Sequence, residues 1–284
     1  MASRPSTSPP PDGQGGACGR GTSRSTAWRS NVVTAKTGFH RRASGVDRRA
    51  AQEVHGIAAG DTTAPEGAIP RSTWRWLRTL PADRAVCVLL RHSVRDELAP
   101  GDIGYAHPLN ALGEELARRF GAALRGRLRT VHSSPLQRCQ ETAELLRAAA
   151  GAEGTVVEDR FLGDPGAYVV DAALARHNWE TLGSAGIMAR MAAGGPGLPG
   201  TRAPDDGARI LLAHMLDTAA EVPGVHVFVT HDILLAITAA RLVGPPRGGS
   251  RWPRYLEAAF FWRDADGLHA AYRGRRRILQ VERM

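Results

Sequence analysis

From Ala85 onward the chain repeats one unit: a short apolar run, a few polar residues, then an amphipathic stretch. That alternation is how strands and helices of a parallel sheet follow one another, and it leaves few other folds open. The run Ala85 to Leu90 carries no polar side chain except a cysteine thiol, so it reads as a first, buried strand. A helix is predicted from Asn110, a good N-cap residue, with Leu112, Leu116, Phe120 and Ala123 on one stripe and Glu114, Arg118 and Arg119 away from it. Leu128 to His132 is a second short strand.

The next helix is expected to start at Ser134-Pro135, a capping hydroxyl followed by proline in the first turn. It continues through Leu136, Cys139, Ala143 and Leu146 to about Ala149. Thr155 to Phe161 reads as a third strand, closed by the turn Gly163-Asp164-Pro165-Gly166, in which Asp164 is given a structural role. A helix over Gly207 to Glu221 precedes a buried strand, Val225 to Val229, and an apolar helix follows from Ile233 to Val243. Leu256 to Trp262 and Leu268 to Arg273 close the pattern as a hairpin around Asp264 to Gly267. The fold predicted is α/β: a three-layer sandwich with a mostly parallel central sheet, helices on both faces, and a small helical lid inserted at about residues 168–204. Tyr168, Arg176 and Trp179 stand in that insertion, and core packing is the role expected of the two aromatics.

Residues 1–70 differ in texture, being rich in Ser, Pro, Gly and Arg without a period of 2 or 3.6. Such a segment buries too little apolar surface to offset its ordering entropy. The division expected is an extension over residues 1–70 and one catalytic domain over residues 71–284. The formal charge is +9, but residues 1–50 alone hold nine basic and two acidic side chains, so the remainder is close to neutral. No broad basic face is implied for the folded part, and nucleic acid is not the partner expected of it. Cys18, Cys87 and Cys139 show neither CxxC nor CxH spacing, which supports neither a disulfide framework nor a zinc site and makes a reducing, cytoplasmic setting the default. The longest apolar stretch, Ile233 to Ala240, is well short of the roughly 20 residues a membrane span needs.

In an open α/β sheet, ligands bind beyond the carboxyl ends of the strands, so the polar residues after each apolar run deserve inspection. The first run ends in Arg91-His92-Ser93-Val94-Arg95, the second in Ser133-Ser134-Pro135-Leu136-Gln137-Arg138, and the fourth in Thr230-His231-Asp232. A single histidine after a strand is more often a packing or capping residue. Two histidines and three arginines at three strand ends make a site for a dianionic phosphate, because the guanidinium fork pairs with phosphate oxygens in a bidentate way. Phosphoryl transfer needs mainly positioning and charge neutralisation, which such a set provides without a metal or cofactor.

These segments resemble the histidine phosphatase superfamily, which includes phosphoglycerate mutases and histidine acid phosphatases. Leu90-Arg91-His92-Ser93 is similar to its Arg-His-Gly signature, with Ser93 in place of glycine. Pro108 to Gly113 resembles the Pro-Leu-Thr-x-x-Gly start of its first helix, and Ser133 to Ala143 its Ser-Ser-x-x-x-Arg-x-x-x-Thr-Ala segment. The resemblance implies that His92 is a nucleophile that becomes phosphohistidine, that Arg91, Arg138 and His231 hold the phosphoryl oxygens, and that Arg95 is the extra arginine of the acid-phosphatase form. For the general acid it offers two arrangements: Asp232 of a His-Asp pair, or Glu158 or Asp159 after the third strand; Arg95 and Asp232 together favour the first. The activity implied is hydrolysis of a small-molecule phosphate ester. A phosphomutase with the same nucleophile and a catalytically weak phosphate-binding domain are the alternatives.

Overall fold

In a computed structural model, which describes residues 68–97, 106–245 and 252–279, the chain forms one seven-stranded sheet with helices packed on both faces. The strands are β1 (Ala85–Arg91), β2 (Leu128–Ser133), β3 (Val157–Glu158), β4 (Gly224–Thr230), β5 (Ala258–Asp264), β6 (Gly267–Tyr272) and β7 (Arg275–Leu279). Their spatial order is β3-β2-β4-β1-β5-β6-β7. The pairs β3/β2, β2/β4 and β4/β1 are parallel, whereas β1/β5, β5/β6 and β6/β7 are antiparallel, so the sheet is mixed.

The alternation of side chains along each strand builds two cores. Val86, Val88, Leu90, Val225, Val227, Val229, Phe260 and Trp262 face one side, where they pack with α2 (Ala111–Ala122) and α3 (Gln137–Ala150). Cys87, Leu89, Phe228, Ala259 and Phe261 face the other, against α5 (Pro204–Ala219) and α6 (Asp232–Leu242). Because the central strands are covered on both sides, a Leu89→Ala change would open a cavity costing about 2–5 kcal/mol.

Several elements differ from the sequence expectations. A helix α1 (Arg71–Thr79), absent from that reading, packs Leu77 in the first core and donates a hydrogen bond from Thr73 Oγ1 to Leu256 O at 3.2 Å. The stripe of α2 is rotated: Leu112 is 40% exposed and Ala123 is exposed, whereas Gly113, Leu116, Ala117, Phe120 and Leu124 are buried. Gly113 fixes that rotation, since a Cβ there would fall 1.9 Å from Val94 O and only glycine allows the helix to approach the β1 loop so closely. The third strand shrinks to Val157–Glu158 at the sheet edge, followed by a single 3-10 turn, Arg160–Leu162. At the other edge lies β7, also absent from the sequence reading. Its Arg275, Arg276 and Arg277 are charges that discourage pairing with a further strand.

The insertion is helical as expected. Its α4 (Ala172–Ala193) is broken at Gly183, where φ is 61°. Met188 and Met191 are buried, and Arg241 of α6 donates to the carbonyls of Ala192 and Ala193. Tyr168 is buried with its hydroxyl 2.8 Å from Thr238 Oγ1, but Trp179 is 43% exposed and does not join the core. No helix among the described residues is long and apolar enough to cross a membrane. The reading of the extension, apart from the exposed Ala68 and the buried Ile69 and Pro70, and Cys18 with it, lies outside the described residues.

Candidate active site

The strand order brings three of the polar strand ends together. β4 lies between β2 and β1, with Arg91 opposite Thr230 and Ser133 opposite Val229 in register. One residue further on, His92 N donates to Thr230 O at 2.9 Å and Ser134 N to Val229 O at 3.0 Å. His92 and His231 therefore leave adjacent parallel strands side by side, their ring centroids 5.9 Å apart. Arg138 enters from the first turn of α3, which follows β2.

His92 is buried, and its Nδ1 lies 2.8 Å from Ser93 O. A carbonyl can only accept, so Nδ1 carries the proton and Nε2 keeps a lone pair, which receives a hydrogen bond from Arg138 Nε at 3.1 Å. Burial, then the charges of Arg91, His231 and Arg138, push the His92 pKa well below the ordinary histidine value. The imidazole is thus neutral, with an unprotonated Nε2. His231 receives Arg138 NH2 on Nδ1 at 3.3 Å, so its Nε2 carries the proton and donates to Ser134 Oγ at 2.7 Å. Burial and then Arg138 lower its pKa as well. The Ser134 hydroxyl expected to cap α3 serves this contact instead, and Leu136 is the N-cap residue without a side-chain bond.

Ser93 does not crowd the site. Its hydroxyl donates to Gly113 O at 2.7 Å and its N–H to Thr142 Oγ1 at 3.0 Å, which ties the β1 loop to α2 and α3 and aims the Ser93 carbonyl at His92.

Arg91 is buried. It donates from NH1 to Pro253 O at 2.6 Å, pairs through NH2 with Asp232 Oδ2 at 2.9 Å, and lies over the Tyr255 ring at 4.1 Å. Its Nε, like the Nε of Arg95, is buried without a hydrogen-bond partner. A buried guanidinium N–H left unpaired is costly, and two in one region suit an incoming anion.

Asp232 accepts from Ile233 N on Oδ1 and from Trp252 Nε1 on Oδ2, besides its pair with Arg91. Burial would raise its pKa, but Arg91 and then His231 outweigh that and hold it below the ordinary aspartate value, as a carboxylate. Neither acid named after the third strand is joined to the histidine pair by a contact among the described residues. Glu158 is exposed beside Arg160, and Asp159 accepts from Phe161 N and pairs with His214 at 2.7 Å. Asp164, assigned to the turn, follows Gly163, which packs against Ser134 Oγ; it reaches solvent, yet the protein packed around it raises its carboxyl above the ordinary value.

Sequence reasoning missed Tyr255, whose ring lies 5.6 Å from that of His92, and Trp252. Nothing local marks them, because both come from the segment before β5, with Pro253 162 positions from Arg91. The candidate cation cluster among the described residues, Asp264, Asp266 and His269, sits at the opposite end of β1 from His92, where Arg276 donates to His269 Nδ1.

The family model of the histidine phosphatase superfamily (branch 1) matches residues 87–164, a stretch that holds His92 and Arg138. The likeness to the histidine phosphatase superfamily spans this segment. No curated protein sequence matches the chain. Among solved structures, a mycobacterial glucosyl-3-phosphoglycerate phosphatase is 20% identical, covers 63% of this chain and 90% of its own, with a TM-score of 0.43. A phosphoglycerate mutase from Bacillus anthracis is 15% identical, covering 70% and 92%, with a TM-score of 0.46. A putative alpha-ribazole-5'-P phosphatase from Escherichia coli is 17% identical, covering 70% and 99%, with a TM-score of 0.45. Likeness at this level names neither the reaction nor the substrate of this chain.

Proposed function

We propose that this chain hydrolyses small phosphate monoesters through a phosphohistidine on His92. The observation that carries this reading is the state of His92 Nε2: unprotonated, buried, and held by Arg138 with His231 alongside. Substrate phosphoryl oxygens would take over the Arg138 and His231 donors and meet the unpaired Nε atoms of Arg91 and Arg95. Nε2 then attacks phosphorus, a P–N bond forms, and the bond to the departing alcohol oxygen breaks. Water attacks the phosphohistidine in the second half, the P–N bond breaks, and inorganic phosphate leaves with His92 neutral again. The fixed donors stabilise the charge on the transferred group without reorganising, which is the larger part of catalysis in such transfers.

The departing alcohol needs a proton, and Asp232 is badly placed to give one, being a carboxylate with three donors on it. Its contacts support a role as the anchor of Arg91. Asp164, which follows the Gly163 contact with Ser134 and whose carboxyl is raised by the protein around it, is the acid we put forward in its place.

Rapid quench with labelled phosphomonoester tests the reading. Acid-labile, base-stable label should appear on the native protein and vanish in His92→Ala. Label persisting in that variant would remove His92 from the chemistry, and label passing to a second ester molecule rather than to water would make the chain a mutase.

A further inference from the structure

We propose that Trp252 is a positioning residue of the phosphoryl site: its indole N–H holds Asp232, and Asp232 holds Arg91 with its Nε free to meet an anion. The inference rests on the reading of the His92 pocket as a phosphoryl site. Its basis is the way the donors of Arg91 are divided. NH1 goes to Pro253 O at 2.6 Å, NH2 to Asp232 Oδ2 at 2.9 Å, and the plane of the group lies on Tyr255 at 4.1 Å. Three of these restraints come from consecutive or nearly consecutive residues, since Trp252 Nε1 donates to the same Asp232 oxygen at 3.1 Å. Only Nε is left, buried and unpaired.

A carboxylate oxygen shared by two donors is fixed in direction by both. Removing the indole N–H leaves Asp232 Oδ2 with Arg91 alone, so the ion pair can swing without losing its bond, and Arg91 Nε loses its aim. The segment bearing Trp252 is itself fixed. Arg273 binds both oxygens of Glu257, at 2.6 and 3.2 Å, and reaches Trp252 O at 3.0 Å, while Glu257 O accepts from Arg91 N at 3.0 Å. Glu257 is buried, so this second ion pair is a rigid support and not a surface contact. Trp252 is partly exposed, and replacing its indole by phenyl keeps most of the packing while deleting the donor.

A double-mutant cycle read by affinity for inorganic phosphate tests the chain of contacts. Trp252→Phe should weaken phosphate about tenfold, the scale of one hydrogen bond to a charged group, with the unfolding midpoint kept. Asp232→Asn should weaken it at least as much. The two together should cost no more than Asp232→Asn alone, because Trp252 acts only through Asp232. Should Trp252→Phe fail to fold, Trp252→Leu, which likewise deletes the indole donor, carries the same cycle with Asp232→Asn. Equal phosphate affinity in native protein and Trp252→Phe, or additive losses in the double variant, would overturn the proposal while leaving the pocket's reading intact. Native protein that binds no phosphate at all would overturn both.

Discussion

Arg138 donates from Nε to His92 Nε2 at 3.1 Å and from NH2 to His231 Nδ1 at 3.3 Å, so one guanidinium binds both histidines of the site in their neutral forms. A lysine has no fork with which to do both. Arg138→Lys should therefore lower kcat/KM by about 10²–10³, the cost of losing one preorganised donor, with a smaller change in the unfolding midpoint. Steady-state kinetics on p-nitrophenyl phosphate would measure it. A variant within threefold of the native protein would mean that Arg138 serves only to place the empty site.

Four histidines, the buried His92, His132 and His226 and the partly buried His231, have pKa values lowered first of all by the protein packed around them. Each is neutral in the folded chain and free to take up a proton at about 6.5 when unfolded. The stability they contribute is full above that value and is lost as pH falls below it, by up to about 1.4 kcal/mol per pH unit for each. Asp232, lowered instead, contributes above the ordinary aspartate value and loses its share only in stronger acid. Urea midpoints should fall steeply between pH 7 and pH 5.5; a flat profile over that window would contradict the neutral assignment of the histidines.

Ser93 and Gly113 make a clamp whose two halves predict opposite outcomes. Ser93→Gly loses one hydroxyl bond to Gly113 O, worth about 1 kcal/mol, and should keep most activity because that hydroxyl is engaged by the α2 backbone. Gly113→Ala drives a methyl into Val94 O and should cost several times more, with His92 displaced along with its loop. Thermal unfolding of the pair of variants would check the order, and a Gly113→Ala protein as stable as Ser93→Gly would refute the close approach.

The site was legible where chemistry and topology coincide. Arg91, His92, Arg138 and His231 each stand directly after an apolar run or in the turn that follows one, and the parallel order β2-β4-β1 gathers those ends. What the sequence hid depends on distance along the chain. Trp252 and Tyr255 look like ordinary aromatics until the 252–257 segment folds back over Arg91. The Ser134 hydroxyl satisfied a local capping rule equally well, and only the neighbouring strand revealed a stronger partner in His231. The rotation of α2 escaped the apolar count because the residue that lets it approach the β1 loop is a glycine.

The source of the proton for the departing alcohol separates two carboxylates of contrasting state. Asp232 is held as a carboxylate by Arg91, Trp252 Nε1 and Ile233 N, whereas the carboxyl of Asp164 is raised by the protein around it and borders solvent beside the Gly163 contact with Ser134. A proton donor is worth about 10²–10⁴-fold, and most of that is felt only when the leaving group is a poor one. Asp164→Asn should therefore slow hydrolysis of an alkyl phosphate far more than that of p-nitrophenyl phosphate, whose phenolate leaves unprotonated. Asp232→Asn should slow both by the same factor, since it loosens Arg91 whatever the leaving group is. The ratio of the two rates in each variant is the measurement, and a selective loss in Asp232→Asn with none in Asp164→Asn would return the acid to the residue after His231.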